Sequence, residues 1–291
     1  MAAILIDGKT IATEIKLEVK DLVSKLRSQG VHPCLAVILV GTDPASHAYV
    51  SAKRRMSQEV GIRLIQHNLL QGISEFELIR LIHSLNADSE VHGILVQLPL
   101  PAHIEEHNVI EAISPEKDVD GFHPCNVGCL VTGLDTLISC TPHAVSQLMT
   151  RSGISTSGKH TVIVGRSNIV GKPLMNLLVQ KTGGGNSTVT VCHSGTKNIK
   201  NFTVQADILI VAIGKARLVS ADMIKPGAVV IDVGINRVEE NGKTRLIGDV
   251  DFDHARNVAS MITPVPGGVG PMTVAMLMKN VVKAATWSIR T

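Results

Sequence analysis

Tyr49 and Lys53 stand four residues apart in a stretch that reads as helix. Their side chains then share a face, offset by about 40° around the axis. A lysine held in a cleft can lose basicity to desolvation and move protons near neutrality. A phenol beside it, here the only tyrosine in the chain, can stack on a flat ring or hydrogen-bond it. The bare spacing fits a solvated helix face as well, which is the commoner case. Gln97 closes the apolar run 93–98, just ahead of Pro99 and Pro101. Ligands of parallel sheets bind beyond the carboxyl ends of strands, where an uncharged amide can fix a lysine or a ring without adding charge. Asp118 and Asp120 precede Gly121 in a loop. A carboxylate there can accept two hydrogen bonds from an amidine-like N–C–N edge, or simply shape a turn.

Residues 161–173 offer a different chemistry. Residues 161–164 are β-branched and read as a buried strand, Gly165 breaks it, and Gly171 and Pro173 fall where a helix would begin. A strand turning sharply into a helix presents free N–H groups at a positive helix end, the arrangement that holds a dinucleotide pyrophosphate. The match to G-x-G-x-x-G is imperfect, because Ser167 and Val170 stand at its second and third glycine positions, and an ordinary strand-to-helix turn fits equally well. After the next strand, Cys192-His193-Ser194-Gly195-Thr196-Lys197 lacks the carboxylate that NAD-selective sites use on the ribose hydroxyls. Ser194, with Arg166 and Lys197, suits a 2′-phosphate, which favours NADP over NAD. Tyr-x-x-x-Lys is also the catalytic pair of short-chain dehydrogenases, but those carry their glycine loop near the N-terminus and the pair downstream. Here the order is reversed. His103-Ile104-Glu105-Glu106-His107 matches a zinc-hydrolase motif formally. It follows two prolines, and 12 histidines make a chance match easy, so no metal is expected and a helix start with exposed histidines is the better reading.

The chain has 291 residues, enough for two domains. It is 44% hydrophobic and 18% charged, with a mean hydropathy of +0.24, which gives a substantial core. Aromatic residues make up only 2%, which disfavours single-stranded nucleic acid bound by stacking. The net charge of +3 includes no long basic run and suits small anions, not nucleic acid. Five cysteines without a signal peptide fit a reducing compartment, and the cytoplasm is expected. Cys125 and Cys129 lack a second pair that would make a zinc site. No apolar stretch is long enough to span a membrane.

The elements that position these residues alternate. Strands are expected over 3–6, 35–40, 62–69 and 93–98, and helices over 11–26, 44–60 and 74–85, the last with a Ser74/Glu77 capping box. Residues 105–145 are less regular, with Thr141 as N-cap and Pro142 opening a helix to Met149. Strands follow over 161–164, 188–191, 208–211 and 229–233, with helices near 171–181 and 220–224. Gly183-Gly184-Gly185 reads as a loop. A final helix, 272–287, has no partner strand and is expected to pack back on the first domain. Alternation of this kind means an α/β fold with parallel sheets. Residues 1–149 plus 272–291 form the first expected domain, and 150–271 a Rossmann-like second.

Several blocks, in order, resemble the bifunctional methylenetetrahydrofolate dehydrogenase/methenyltetrahydrofolate cyclohydrolase family along nearly the whole chain. They are Ser46-His-Ala-Tyr-Val-Ser-Ala-Lys53, Gly93-Ile-Leu-Val-Gln-Leu-Pro-Leu-Pro101, Pro115-Glu-Lys-Asp-Val-Asp-Gly121, Val164-Gly-Arg-Ser-Asn-Ile-Val-Gly-Lys-Pro173, Ile231-Asp-Val-Gly-Ile-Asn236, Gly248-Asp-Val250 and Ile262-Thr-Pro-Val-Pro-Gly-Gly-Val-Gly-Pro-Met-Thr273. The resemblance implies two reactions in one cleft between the domains, in the one-carbon supply of purine biosynthesis. A hydride leaves 5,10-methylenetetrahydrofolate for NADP, and water then opens the methenyl cation to 10-formyltetrahydrofolate. The methenyl carbon is already electrophilic, so no metal is implied. Lys53 would assist proton transfers, Gln97 would hold and tune Lys53, Tyr49 would stack on or orient the folate, and Asp120 would bind the pterin edge. Gly165, Arg166, Ser167, Ser194 and Ile235 would line the NADP site. Pro266, Gly267, Gly268 and Thr273 would shape the folate side, and the family implies a homodimer. A monofunctional dehydrogenase and a catalytically silent binding protein are the alternatives. Two features depart from the family pattern: Ala144 where glycine is usual, and the glycine run at 183–185.

Overall fold

The computed structural model describes residues 2–181, 184–240 and 242–289. Gly183 of the glycine run, and Arg290 and Thr291 of the expected C-terminal segment, lie outside the described residues. The elements in chain order are β1 (Ile4–Leu5), α1 (Gly8–Ser28), β2 (Cys34–Val40), α2 (Pro44–Val60), β3 (Arg63–Leu69), α3 (Glu75–Ala87) and β4 (Gly93–Val96). Next come α4 (Glu106–Ala112), α5 (Pro124–Thr132), α6 (Cys140–Arg151), β5 (His160–Val164), α7 (Gly171–Val179), β6 (Thr188–Cys192), α8 (Lys200–Thr203) and β7 (Ile208–Val211). The rest are β8 (Val229–Asp232), β9 (Asn236–Glu240), β10 (Lys243–Ile247), α9 (Phe252–Ala255), β11 (Met261–Ile262) and α10 (Val269–Trp287).

Two compact units divide the chain. One comprises Thr13–Cys140 and Val274–Thr291. Its sheet has three parallel strands in the order β3-β2-β4. Every residue of β2 is buried, which explains its uninterrupted apolar sequence: a strand covered on both faces has no need to alternate. Ile38, Leu78, Ile82, Ile94 and Val109 are among the side chains of the core on one face. Local signals set the helix ends. Asp43 accepts the Ser46 N–H at the start of α2, Pro44 opens that helix, and Gly61 closes it with φ 83°. Ser74 and Glu77 form the expected capping box at α3.

The other unit comprises Met1–Ala12 and Thr141–Thr273. Six parallel strands run in the order β1-β11-β8-β7-β5-β6. Val162, Val164, Leu209, Val211, Val230 and Ile262 lie in its core.

The sequence assigns residues 1–12 to the first domain; the structure groups them with the second unit. The reason is the pairing of β1, whose Ile4 lies opposite Met261, a long-range partnership that two residues cannot announce. The C-terminal segment does join the first unit, where Asn280 of α10 donates to the carbonyls of Val119 and Ile138 at 2.8 Å each. α6 begins at Cys140 instead of Pro142, and α10 at Val269 instead of Met272. Prolines 142 and 271 are both tolerated because first-turn N–H groups have no helical acceptor. Ala144, at the position where the family pattern has glycine, is fully buried in α6. Residues 221–223 make a single 3-10 turn. The helix start expected near His103–His107 is α4, which begins at Glu106 with His107 exposed, whereas α5 and the antiparallel β9–β10 hairpin lie outside the expected elements.

Candidate active site

In the first unit, Tyr49 and Lys53 lie on one face of α2, and the geometry there goes beyond spacing. The Lys53 ammonium donates to Gln97 Oε1 at 2.9 Å. Gln97 follows β4 directly; its backbone N–H bonds the Ile38 carbonyl, and its Nε2 donates to the Leu98 carbonyl at 2.7 Å. That second bond fixes the amide's orientation and leaves only the oxygen for Lys53. Tyr49 is 48% exposed, so its ring is open to a ligand and not part of the core.

The two loop aspartates divide the possibilities left open by the sequence. Asp118 is buried and fully engaged: it accepts the Gly121 N–H at 3.1 Å, the His123 N–H at 2.7 Å and Asn126 Nδ2 at 2.9 Å. It shapes the turn. Asp120 has a different situation. The Cys140 thiol donates to its Oδ1 over a long 4.0 Å. Burial pushes its carboxyl up to about 6, opposed by the Lys53 charge and reinforced by that of Asp118. Lys53, Gln97 and Asp120 therefore come together, with one carboxylate short of donors beside one fixed ammonium.

Two residues without an assigned role in the sequence reading hold Asp120 in place. Asn280 clamps the carbonyl of Val119, and the Cys140 thiol approaches the same oxygen at 3.3 Å. Burial keeps the Cys140 thiol well above its ordinary range, so it acts here as a neutral neighbour. The available signal is a lone asparagine inside the apolar pattern of α10. Close packing of this loop also requires glycine: a Cβ on Gly93 would collide with Val119, and one on Gly121 (φ 70°) with the backbone at 138–139.

In the other unit, Gly165 ends β5 with φ 136°, and Gly171 at the start of α7 packs against the Gly165 carbonyl so closely that a Cβ would not fit. These two glycines make the tight strand-to-helix turn that the imperfect fingerprint left undecided. Between them, Arg166 and Ser167 are exposed, and Ser167 Oγ accepts the N–H groups of Val170 and Gly171 at 3.1 and 3.4 Å. Ser194 is exposed on the turn after β6, which is closed by the Thr196 N–H to the His193 carbonyl at 2.8 Å. Ile235, between β8 and β9, is 44% exposed. Arg166, Ser194 and Ile235 thus all lie at the C-terminal ends of this parallel sheet, where nucleotides bind. A deep cradle of glycine, an arginine, and serines with no competing carboxylate fit a phosphorylated dinucleotide.

Pro266, Gly267, Gly268 and Thr273 belong to this unit as well. Gly267 has φ 116°, and Gly268 packs on Thr263 and Pro264 without room for a Cβ. Thr273 Oγ1 lies 3.3 Å from Thr141 Oγ1.

A family model for the tetrahydrofolate dehydrogenase/cyclohydrolase catalytic domain matches residues 6–120, and one for the NAD(P)-binding domain of the same family matches residues 139–289. The chain is 54% identical over 285 residues to the bifunctional protein FolD of Brevibacillus brevis, covering 98% of each chain. It is likewise 54% identical to that of Bacillus subtilis over 98% of each. The crystal structure of the bifunctional enzyme FolD from Campylobacter jejuni has a TM-score of 0.93 and 49% identity over 98% of this chain and 99% of that one. The methylenetetrahydrofolate dehydrogenase-cyclohydrolase of Trypanosoma brucei, solved with NADP cofactor and an inhibitor, has a TM-score of 0.94 and 39% identity over the whole of both chains.

Proposed function

The chain belongs to the tetrahydrofolate dehydrogenase/cyclohydrolase family, and from that premise we propose how its residues divide the two reactions. It oxidises 5,10-methylenetetrahydrofolate to the 5,10-methenyl cation and hydrolyses that cation to 10-formyltetrahydrofolate. The observation that carries the assignment of roles is the Lys53–Gln97 bond of 2.9 Å beside Asp120.

Asp120 accepts two hydrogen bonds from the N–C–N edge of the pterin. Its lack of other donors among the described residues supports this, because a half-buried carboxylate is stabilised by the partners it gains. Tyr49 lies against the flat ring system and orients the bridge that joins N5 and N10. NADP, when bound, supplies the hydride acceptor for the methylene carbon. Gly165, Arg166, Ser167, Ser194 and Ile235 hold it, with Ser194 and Arg166 on the 2′-phosphate. The absence of a carboxylate from residues 192–197 supports NADP over NAD.

Loss of hydride leaves a cation shared between N5 and N10 through the methenyl carbon. Water adds to that carbon and must shed a proton. The N5–carbon bond then breaks and N5 must gain one. Lys53 moves these protons. Gln97 keeps its ammonium aimed at one place and, being neutral, adds no charge that would trap the proton there. Pro266, Gly267, Gly268 and Thr273 shape the folate's surroundings. Family likeness supports a homodimer and a cytoplasmic location. Among the described residues, no helix is long and apolar enough to cross a membrane.

A spectrophotometric assay with 5,10-methylenetetrahydrofolate and NADP or NAD in parallel tests this. Reduction of NADP with rapid decay of the methenyl species is expected. Persistent methenyl would remove Lys53 and Gln97 from hydrolysis, and a preference for NAD would overturn the role of Ser194.

A further inference from the structure

Two more aspartates lie in the nucleotide-binding unit and take no part in the chemistry above. Asp232, the last residue of β8, is 3% exposed, and Asp249, just beyond β10, is fully buried. Asp232 accepts the N–H groups of Gly234 and Asp249 on Oδ1 at 3.0 Å each, and that of Val250 on Oδ2 at 2.9 Å. Asp249 accepts the N–H groups of Ile213 and Gly214 on Oδ2 at 2.6 and 2.8 Å, and Asn236 Nδ2 on Oδ1 at 2.8 Å. Two glycines make room for them. A Cβ on Gly234 would collide with the Asp249 carboxylate, and one on Gly248 with that of Asp232.

Two carboxylates buried so close together are costly. Burial and the Asp249 charge push the Asp232 carboxyl up to about 7. What they hold explains the arrangement. Gly234 and Asn236 flank Ile235, so one carboxylate grips the chain immediately before that residue and the other immediately after it. Ile213 and Gly214 continue from the C-terminal end of β7.

A dinucleotide lies across the C-terminal ends of a doubly wound sheet, with its pyrophosphate at the first strand-to-helix turn. Here that turn follows β5. The 2′-phosphate reading of Ser194 directs the adenosine half over β6, on one side of β5. The other half then extends to the opposite side, over β7 and β8.

We propose that Asp232 and Asp249 are positioning residues for the nicotinamide half of the dinucleotide, fixing the backbone at Ile213, Gly214 and Ile235 without touching the ligand. The proposal rests on the cofactor reading above. Adenosine 2′,5′-bisphosphate, which carries only the adenine half, separates the two. Affinities of the full-length protein for this probe and for NADP are measured by titration calorimetry.

In Asp249→Ala, NADP affinity is expected to fall about tenfold or more while the bisphosphate stays within about twofold. The double variant Asp249→Asn with Asn236→Asp exchanges amide and carboxylate, so the bond re-forms with its roles reversed. It is expected to recover most of the NADP affinity. Should Asp249→Ala fail to fold, Asn236→Ala removes the bond beside Ile235 together with a longer one, at 3.4 Å, to the Ile247 carbonyl, and the same split is expected at about threefold. Unchanged NADP affinity in a folded variant overturns the positioning role. So does a parallel loss for both probes, which a purely structural role would produce. If the bisphosphate does not compete with NADP on the wild-type protein, the cofactor reading itself fails and takes the proposal with it.

Discussion

Aspartates are buried in both units, to different ends. Asp118, Asp232 and Asp249 each accept three hydrogen bonds from nearby chain. They hold loops in shape. Asp120, two residues from Asp118, is left without such donors and faces Lys53. A carboxylate saturated by backbone N–H groups is scaffold, because a ligand could bind it only by displacing bonds already made. One kept desolvated and unsaturated is free to gain its stabilisation from a ligand. Hydrogen-bond saturation separates the two kinds, and exposure follows it: Asp118, Asp232 and Asp249 are buried, while Asp120 is half-buried.

The largest test of this contrast is on the ammonium that Asp120 faces. Lys53→Met is expected to lower the cyclohydrolase rate by about 10²–10⁴-fold, with the melting temperature nearly unchanged, as followed by methenyl decay and thermal unfolding. A normal rate would remove Lys53 from the chemistry.

The aspartates themselves come next. Asp120→Ala is expected to raise KM for the folate roughly thirtyfold, the worth of a charge-assisted pair of bonds, without lowering stability. Asp118→Ala should do the opposite in kind. It strands three buried donors and is expected to cost about 3 kcal/mol in denaturant unfolding. Equal stability losses in the two variants would erase the distinction.

The pH dependence sharpens it. The Asp120 carboxyl, pushed up to about 6, is ionised above that pH and protonated below it. Protonation removes an acceptor, so KM for the folate should rise as pH falls through 6, by about tenfold per unit at the limit. Asp120→Asn should show a high, flat KM. Linkage runs the other way for folding. The folded state holds this proton more tightly than the unfolded chain, so protonation stabilises it as pH falls from about 6 toward the ordinary value of 3.8. The stability gained by Asp120→Asn is therefore greatest above pH 6 and fades below.

The smallest expected effect is at the exposed turn. Ser194→Ala should reduce the preference for NADP over NAD by about fivefold, read from the ratio of kcat/KM values, since one neutral hydrogen bond is lost.

The candidate site residues and the long elements were legible in the sequence because both signals are local. Buried parallel strands such as 34–40 are continuous apolar runs, Asp43-Pro44 and Ser74-x-x-Glu77 announce helix starts, and Tyr49-x-x-x-Lys53 implies a shared face. The β9–β10 hairpin escaped because its residues, Asn-Arg-Val-Glu-Glu and Lys-Thr-Arg-Leu-Ile, are largely polar. The Asn241-Gly242 dipeptide is the cue that could have found it.

By itself the sequence determined the family, the alternation of strand and helix, and a short roll of candidate residues. Spacing left Asp118 and Asp120 equivalent, gave Asp232 and Asp249 no role, and attached β1 to the wrong neighbours. Only the tertiary structure decided these. Hydrogen-bond saturation depends on how the loop after Asp118 curls its own N–H groups back, and on which N–H groups reach Asp232 and Asp249 from farther along the chain; the pairing of Ile4 with Met261, like the clamp of Asn280 on Val119, joins residues whose separation along the chain carries no local mark.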